Sequence, residues 1–497
     1  MKPMGALVTA VAVLLGVLGN LLLRAPADPG INFPLWALLV ALGLFAVQRH
    51  TGRALDMEAR LLLGAGLLLM AGMAWRDAAA LKTLALLCGV VAFALPAWRS
   101  GVAWVTRGSV GEVVGAVASG VAHGAAGALL LLRPAEWPDR SVGAGARGSA
   151  RWRTAGAALR GLLLAAPFLV IFGALFMAAD AVFAQFIADT LRFDLDTVAS
   201  HVLFTAVLSW IVAGYLRGFA GGTNAPVRVL DPVLHTPRIG MVELGVALVL
   251  IQVVFAAFII VQFRYLFGGA MLIEVTPGLT YAEYARRGFF ELVFGTLLVL
   301  PMLLAADAVR SRERAVDDIV FRTLAGIQIV LVAAVMLSAV RRLGLYIDAY
   351  GLTAQRFYAA ALLALLGVLL LWFCVTVLRN RRERFAAGVV VAGFATVALL
   401  FAVNPDRIIA RTNLERAAGA AGTFDAAYLA TLSADAMPVL LAALPALPQE
   451  KRCGIAERLL KRWGPDSDSD VRTWSVAGAL ARREAGARAE EWRRECG

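Results

Sequence analysis

The chain has 497 residues, 60% of them hydrophobic and 16% charged, with a formal net charge of +12 and a mean hydropathy of +0.76. A soluble domain carries about half apolar and a quarter charged residues, so a soluble globular fold is excluded. Continuous apolar runs of about 20 residues, each able to cross about 30 Å of hydrocarbon, exclude an alternating β-barrel as well.

The positive excess is arginine scattered over short loops, since Lys2, Lys82, Lys451 and Lys461 are the only lysines. That pattern reads as helix-flanking anchors rather than nucleic-acid binding. Richness in Ala, Gly, Arg and Val points to a bacterial source of high GC content. The predicted fold class is all-α: a polytopic membrane helix bundle of about 12 transmembrane helices with a small helical C-terminal extramembrane domain.

In chain order the predicted spans cover 4–23, 31–48, 59–75, 79–98 and 110–132, which form an N-terminal five-helix part within 1–132. The first run follows Lys2 and is long for a signal-peptide core, so it is read as a retained helix. The fifth is rich in Gly and Ala and holds Glu112 and His123; its small residues suit close helix packing. A basic, Gly/Ser-rich loop over 133–158 divides this part from a seven-helix part over 159–403. The seven spans there are 159–180, 200–218, 241–263, 288–308, 320–340, 355–378 and 385–403. Between the first two, Phe183, Phe186, Ile187, Leu191 and Leu195 could form the apolar face of a segment lying on the membrane surface.

The stretch QFRYLFGGAMLIEVTPGLTYAEYARRGFFEL, from Gln262 to Leu292, packs charges and tyrosines beside spanning sequence, where an unpaired charge is costly. Thr280 can cap a helix from Tyr281 with Glu283 at its third position, and Glu283, Arg287 and Glu291 follow at four-residue steps. One reading is a structural hairpin with salt bridges and interfacial tyrosines. The functional reading makes Arg264, Tyr265, Tyr281, Glu283, Tyr284, Arg286, Arg287 and Glu291 a binding site, with arginines holding an anionic group and Glu283 or Glu291 moving protons. Asp180, Asp307, Glu243 and Glu112 stand at span ends, where acids at headgroup level or at helix N-termini are common. His123 reads as a packed, hydrogen-bonded residue. No metal-ligand spacing, Walker motif, GxGxxG at a strand–helix junction or GxSxG elbow occurs, so no catalytic residue, metal or cofactor is assigned.

From Asn404 the chain turns polar, and helical patterning punctuated by Pro445, Pro448 and Pro465 predicts a bundle of three or four helices over 404–497. Cys88 and Cys374 lie in apolar runs; Cys453 and Cys496 lie in the tail and are able to pair if it is extracytoplasmic. Twelve spans put both termini on one side. The loops with Arg24, Arg76, Lys82, Arg133–Arg153, Arg217, Arg228, Arg238, Arg310–Arg314 and Arg379–Arg384 outweigh the opposite set in basic charge. The positive-inside rule then makes them cytoplasmic and both termini external.

Three stretches carry a resemblance: GALFMAADAVFAQF at Gly173–Phe186, QFRYLFGG with TYAEYARRGFFEL, and NPDRIIARTNLERA followed by FDAAYLATLSADAMPVLLAAL. In order and wording they resemble the bacterial multi-pass membrane proteins grouped as domain of unknown function 4173, with a related group numbered 4153. The resemblance spans most of Gly173 to Leu444 and implies a multi-pass protein of the cell membrane, with no catalytic residues carried over.

Function on this reading is binding or transport of a small solute, proton-coupled. The alternatives are a non-enzymatic sensor or scaffold for an envelope process and, least supported, a membrane-embedded transferase. The expected partners are the lipid bilayer and a small solute or an envelope protein.

Overall fold

The computed structural model describes residues 4–24, 28–52, 55–97, 108, 110–126, 180, 195–221, 239–267, 289–311, 314–418, 425–468 and 470–496. Among these the secondary structure is helical, apart from one isolated β-bridge between Ile239 and Arg310. The helices of the apolar part are α1 (Met4–Leu23), α2 (Asn32–Thr51), α3 (Met57–Ala71), α4 (Ala79–Ala97), α5 (Val110–Ala126), α6 (Leu195–Gly221), α7 (Met241–Phe267), α8 (Phe289–Val309), α9 (Ala315–Tyr350), α10 (Ala354–Thr376) and α11 (Phe385–Val403). Among the described residues nine helices, α2–α4 and α6–α11 with their short extensions, are long and apolar enough to cross a membrane; α1 is apolar over Leu7–Leu23, α5 has 17 residues, and the expected span 159–180 lies outside the described residues. The chain is a multi-pass membrane protein by this measure.

Local chemistry sets the helix boundaries. Gly52 ends α2 in the left-handed region, and Asp56 opens α3 by accepting the Ala59 amide at 2.8 Å. Asn380 and Asn404 supply the same left-handed turn after α10 and α11, a conformation asparagine tolerates. α9 is longer than its hydropathy predicted. Its 36 residues rise about 54 Å, more than the hydrocarbon needs. Arg341 and Arg342, expected in a loop, therefore belong to a helix. Its buried stripe, Phe321, Ala325, Gln328, Val332, Val335, Ala339 and Arg342, alternates steps of four and three, the spacing of a helix seam.

α1 and α6 run antiparallel. Arg24 donates to His201 Nε2 at 2.5 Å, Asn20 meets His201 Nδ1 at 2.9 Å, and Val8, Ala12 and Leu15 share a core with Val212, Leu216 and Phe219. Leu195, expected on a surface-lying segment, opens this helix instead. α5 lies close against α4 and α6: a Cβ on Gly120 would stand 2.8 Å from Ala94, and one on Gly214 would collide with the His123 carbonyl. A second group, α7–α11, is built around Leu248, Leu303, Phe321, Val332, Phe373 and Phe385. Leu69, Met70, Met73, Leu81 and Ala85 join it to the first group through Val397, Leu400 and Phe401 of α11.

The remaining chain forms α12 (Pro405–Ala418), α13 (Ala426–Leu429), α14 (Met437–Ala443), α15 (Gln449–Trp463) and α16 (Val476–Cys496). Pro448 is the N-cap of α15 and Pro465 follows its end. These helices share one core with the turn after α9: Leu352 packs with Ile409, Leu429, Met437, Leu459, Ala481 and Trp492.

The C-terminal region sits at one end of the bundle, the near end, where α1, α3, α9 and α11 finish and α2, α4 and α10 begin. The far end gathers the start of α7, the junction of α8 and α9, and the α10–α11 link. There Ile239 N–H donates to the Val309 carbonyl at 2.9 Å, and Arg382 reaches Asp307 at 3.8 Å. α1 runs from the far end to the near end. The N-terminal end of α1 and the C-terminal region therefore lie at opposite ends of the bundle, and the expectation that both termini share a side does not hold.

Candidate functional site: a buried carboxylate junction

Helix α4 begins after the sequence Trp75-Arg76-Asp77-Ala78, and the amides of Asp77 and Ala78 at its entry have no partner within the helix. Asp435, brought in by a 3₁₀ turn at Ala434–Ala436, supplies the acceptor. Its Oδ2 takes the Asp77 amide at 2.7 Å and the Ala78 amide at 3.2 Å. The exchange is reciprocal: Asp77 Oδ2 accepts the Ala434 amide at 3.3 Å, at the start of the turn that carries Asp435. Each aspartate thus satisfies the opening of the other's helix across more than 350 residues of sequence.

Three charges complete the junction. Lys82 Nζ donates to Asp77 Oδ1 at 2.7 Å, and Arg76 Nη1 to Asp435 Oδ1 at 3.3 Å. Arg76 Nε also takes up the Phe401 carbonyl near the end of α11 at 3.2 Å. Asp406, in the first turn of α12, accepts the Ser433 amide at 2.9 Å, and Ser433 Oγ lies 3.3 Å from Asp435 Oδ2. The Asp435 side chain is 1% exposed. Burial pushes its carboxyl above the ordinary range, opposed by the Asp77 amide, the Arg76 guanidinium and the Ala78 amide. A buried charge this well supplied with donors is costly to strip of any one of them.

Two further contacts hold the region down. Asn413 accepts the Leu352 amide at 2.9 Å and donates to the Leu352 carbonyl at 2.6 Å, and the Tyr428 hydroxyl accepts the Ala354 amide at 2.8 Å. On the other flank Arg472 Nη1 donates to the carbonyls of Leu21 at 2.9 Å and Arg24 at 2.8 Å. Chemically the junction is a lock. No group of His, Cys, Asp and Glu that could hold a metal ion occurs among the described residues.

The residues expected to bind a ligand are placed as follows. Arg264 and Tyr265 belong to the last turns of α7, but their side chains, with all of Tyr281, Glu283, Tyr284, Arg286 and Arg287, lie outside the described residues. Glu291 is exposed in the first turn of α8. The loop 133–158 and the apolar face from Phe183 to Leu191 also lie outside. Asp307 is buried and paired with Arg310 at 2.9 Å, while Arg310 also pairs with Asp318 and stacks on Phe321. His123 Nδ1 lies 2.7 Å from the Ser119 carbonyl. Cys453 on α15 and Cys496 at the end of α16 are joined by a disulfide with Cα atoms 5.3 Å apart.

Sequence reasoning passed over Arg76, Asp77, Lys82, Ser433 and Asp435. A signal was present: Asp406 and Asp435 stand inside the NPDR and SADAMP stretches that carry the resemblance.

Comparison with curated proteins and with solved structures finds no match. The family model described as domain of unknown function (DUF4153) covers residues 63–443 of the 497. The group numbered 4173, to which the sequence was first likened, is a related but different family. The matched region takes in Arg76, Asp77, Lys82, Asp406 and Asp435, so the junction lies within the domain that defines the family, and the chain belongs to the DUF4153 family.

Proposed function

We propose that this is a non-enzymatic scaffold or sensor of the bacterial cell membrane, with a cytoplasmic N-terminus and residues 405–496 forming an extracytoplasmic binding domain. The observation that carries the reading is the way that domain is held. A module on a linker would move freely. Here hydrogen bonds tie it to the end of α1, to the link between α3 and α4, and to the start of α10. A partner bound to it would act on four helices at once.

Two features support the orientation. Among the described residues the far end carries Arg49, Arg60, Arg217, Arg310, Arg314, Arg379, Arg381, Arg382 and Arg384 in its loops and last helical turns; the near end carries Arg24, Arg76, Lys82, Arg341, Arg342 and Arg356. The positive-inside rule favours a cytoplasmic far end. The disulfide between Cys453 and Cys496 belongs in an oxidising compartment.

The test uses intact spheroplasts and a chain tagged at both termini. External protease should remove the C-terminal tag and spare the N-terminal one. A C-terminal tag cleaved only after lysis would overturn the orientation and, with it, the external binding domain.

A second reading, solute binding or proton-coupled transport, is favoured by one observation. Gln328 is fully buried in the apolar seam of α9, and neither its Nε2 nor its Oε1 has a hydrogen-bond partner among the described residues. Polar groups at such depth mark solute paths in many membrane proteins. Stabilisation by a polar solute that Gln328→Leu abolishes would move the conclusion to this reading.

A further inference from the structure

The segment 470–480, DVRTWSVAGAL, lies across three helix ends of the near face. Arg472 donates to the Leu21 and Arg24 carbonyls at the end of α1, Ile31 N–H donates to the Trp474 carbonyl at 3.0 Å beside the start of α2, and Ala477 N–H to the Trp75 carbonyl at 3.2 Å beyond α3. The approach at Gly30 is close enough that a Cβ there would overlap the Thr473 backbone. Asp470 holds the Arg472 guanidinium in a fork, with both its oxygens 3.0 Å from Nε. The segment is thus fixed at the level where α1 and α3 end and α2 begins.

A water-facing turn would carry polar side chains here. Instead Val471 is 83% exposed, Leu480 52%, Val476 39% and Trp474 37%, and Trp75 in the adjoining link is 47% exposed. Leu21 of α1, whose carbonyl accepts from Arg472, is 59% exposed, and Leu68 of α3 is 74% exposed. Tryptophan is enriched at the bilayer interface because its ring is apolar and its N–H is wet, and arginine accompanies it there. Arg76 stacks on Trp75 at 4.2 Å from the ring centroid, placing a cation at the same level.

We propose that Val471, Trp474, Val476 and Leu480, with Trp75, form a membrane-interface anchor that seats one edge of the C-terminal region in the lipid headgroup layer. The occupant is the bilayer surface, and the assignment is independent of which side of the membrane the near end faces. The anchor adds lipid contacts beside the hydrogen bonds by which Arg472 and Ala477 attach the segment to α1 and to the link after α3.

The test is nitroxide accessibility in nanodiscs, on the full chain with Cys88→Ala and Cys374→Ala and the disulfide intact. Spin labels at Val471→Cys and Leu480→Cys are compared with Leu21→Cys and Leu14→Cys on α1. Collisions with oxygen should exceed those with a water-soluble nickel chelate, giving a ratio near that of Leu21→Cys. A nickel-dominated ratio would show a hydrated surface and overturn the proposal. Protection from both reagents would show that protein, a second copy or another chain, covers the patch, and would overturn it equally. Val471 is so exposed that its replacement leaves packing untouched, and the second label guards against a local effect at either site.

Discussion

The two ends of the bundle are held by different means. At the far end the buried charges are near neighbours in sequence: Asp307 and Arg310 stand one helical turn apart, Asp318 follows eight residues later, and Phe321 supplies the ring on which Arg310 rests. At the near end Asp77 meets Asp435, Leu352 meets Asn413, and Leu21 meets Arg472. The buried charges of the far end form a local knot that α8 and α9 can tie themselves, to which Ile239 and Arg382 add links from farther along the chain. The near end is assembled by the last fifth of the chain, so its integrity reports on the whole fold. Charge density alone does not tell a site from a brace; the sequence distance over which charges are paired says which one binds the molecule together.

The largest expected effect breaks the near end. Asp435→Ala leaves the Asp77 and Ala78 amides and the Arg76 guanidinium without their acceptor, at an expected cost of about 3–5 kcal/mol. Hydrogen exchange at those amides should accelerate, and residues 405–496 should become open to limited proteolysis in detergent. Exchange that stays at the wild-type rate would mean that the junction is decorative.

An intermediate effect sharpens the comparison within the near end. Replacing both Cys453 and Cys496 by Ser releases a loop closed across 43 residues. The expected loss is about 2–4 kcal/mol, confined to α15 and α16. Protease sites should open there while the Asp77 amide stays protected. Loss of protection at both places would make the disulfide part of the lock.

The smallest effect belongs to the far end. Arg382 approaches Asp307 at 3.8 Å with half its side chain exposed, so Arg382→Ala should change thermal stability by less than about 0.5 kcal/mol. A larger loss would show that the far end, too, depends on pairing between distant elements.

Much of the helix pattern was legible because lipid demands long apolar runs, and runs such as those of α4, α7 and α11 announce themselves. Hydropathy measures depth rather than helicity, which is why α9 outran its expected end: RRLGLYIDAY is too polar to be called a span, yet it continues the helix to Tyr350. Orientation was fragile because it depends on parity, and the contacts of Arg472 with the end of α1 show what a count of runs could not. The junction was hidden for a simpler reason. Asp77 and Asp435 are unremarkable singly, and nothing in a linear pattern says that each opens the other's helix. Cys453 and Cys496 were easier to find as candidates, being the two cysteines of the polar tail.

The reciprocal capping of Asp77 and Asp435 has a consequence for how the molecule is made. Synthesis delivers α4 to the membrane long before residue 435 leaves the ribosome. Until then the opening amides of α4 wait for an acceptor, and Lys82 is paired with an aspartate that has yet to meet its own donor. Water serves those amides in the meantime, and the near end closes only when the last part of the chain displaces it.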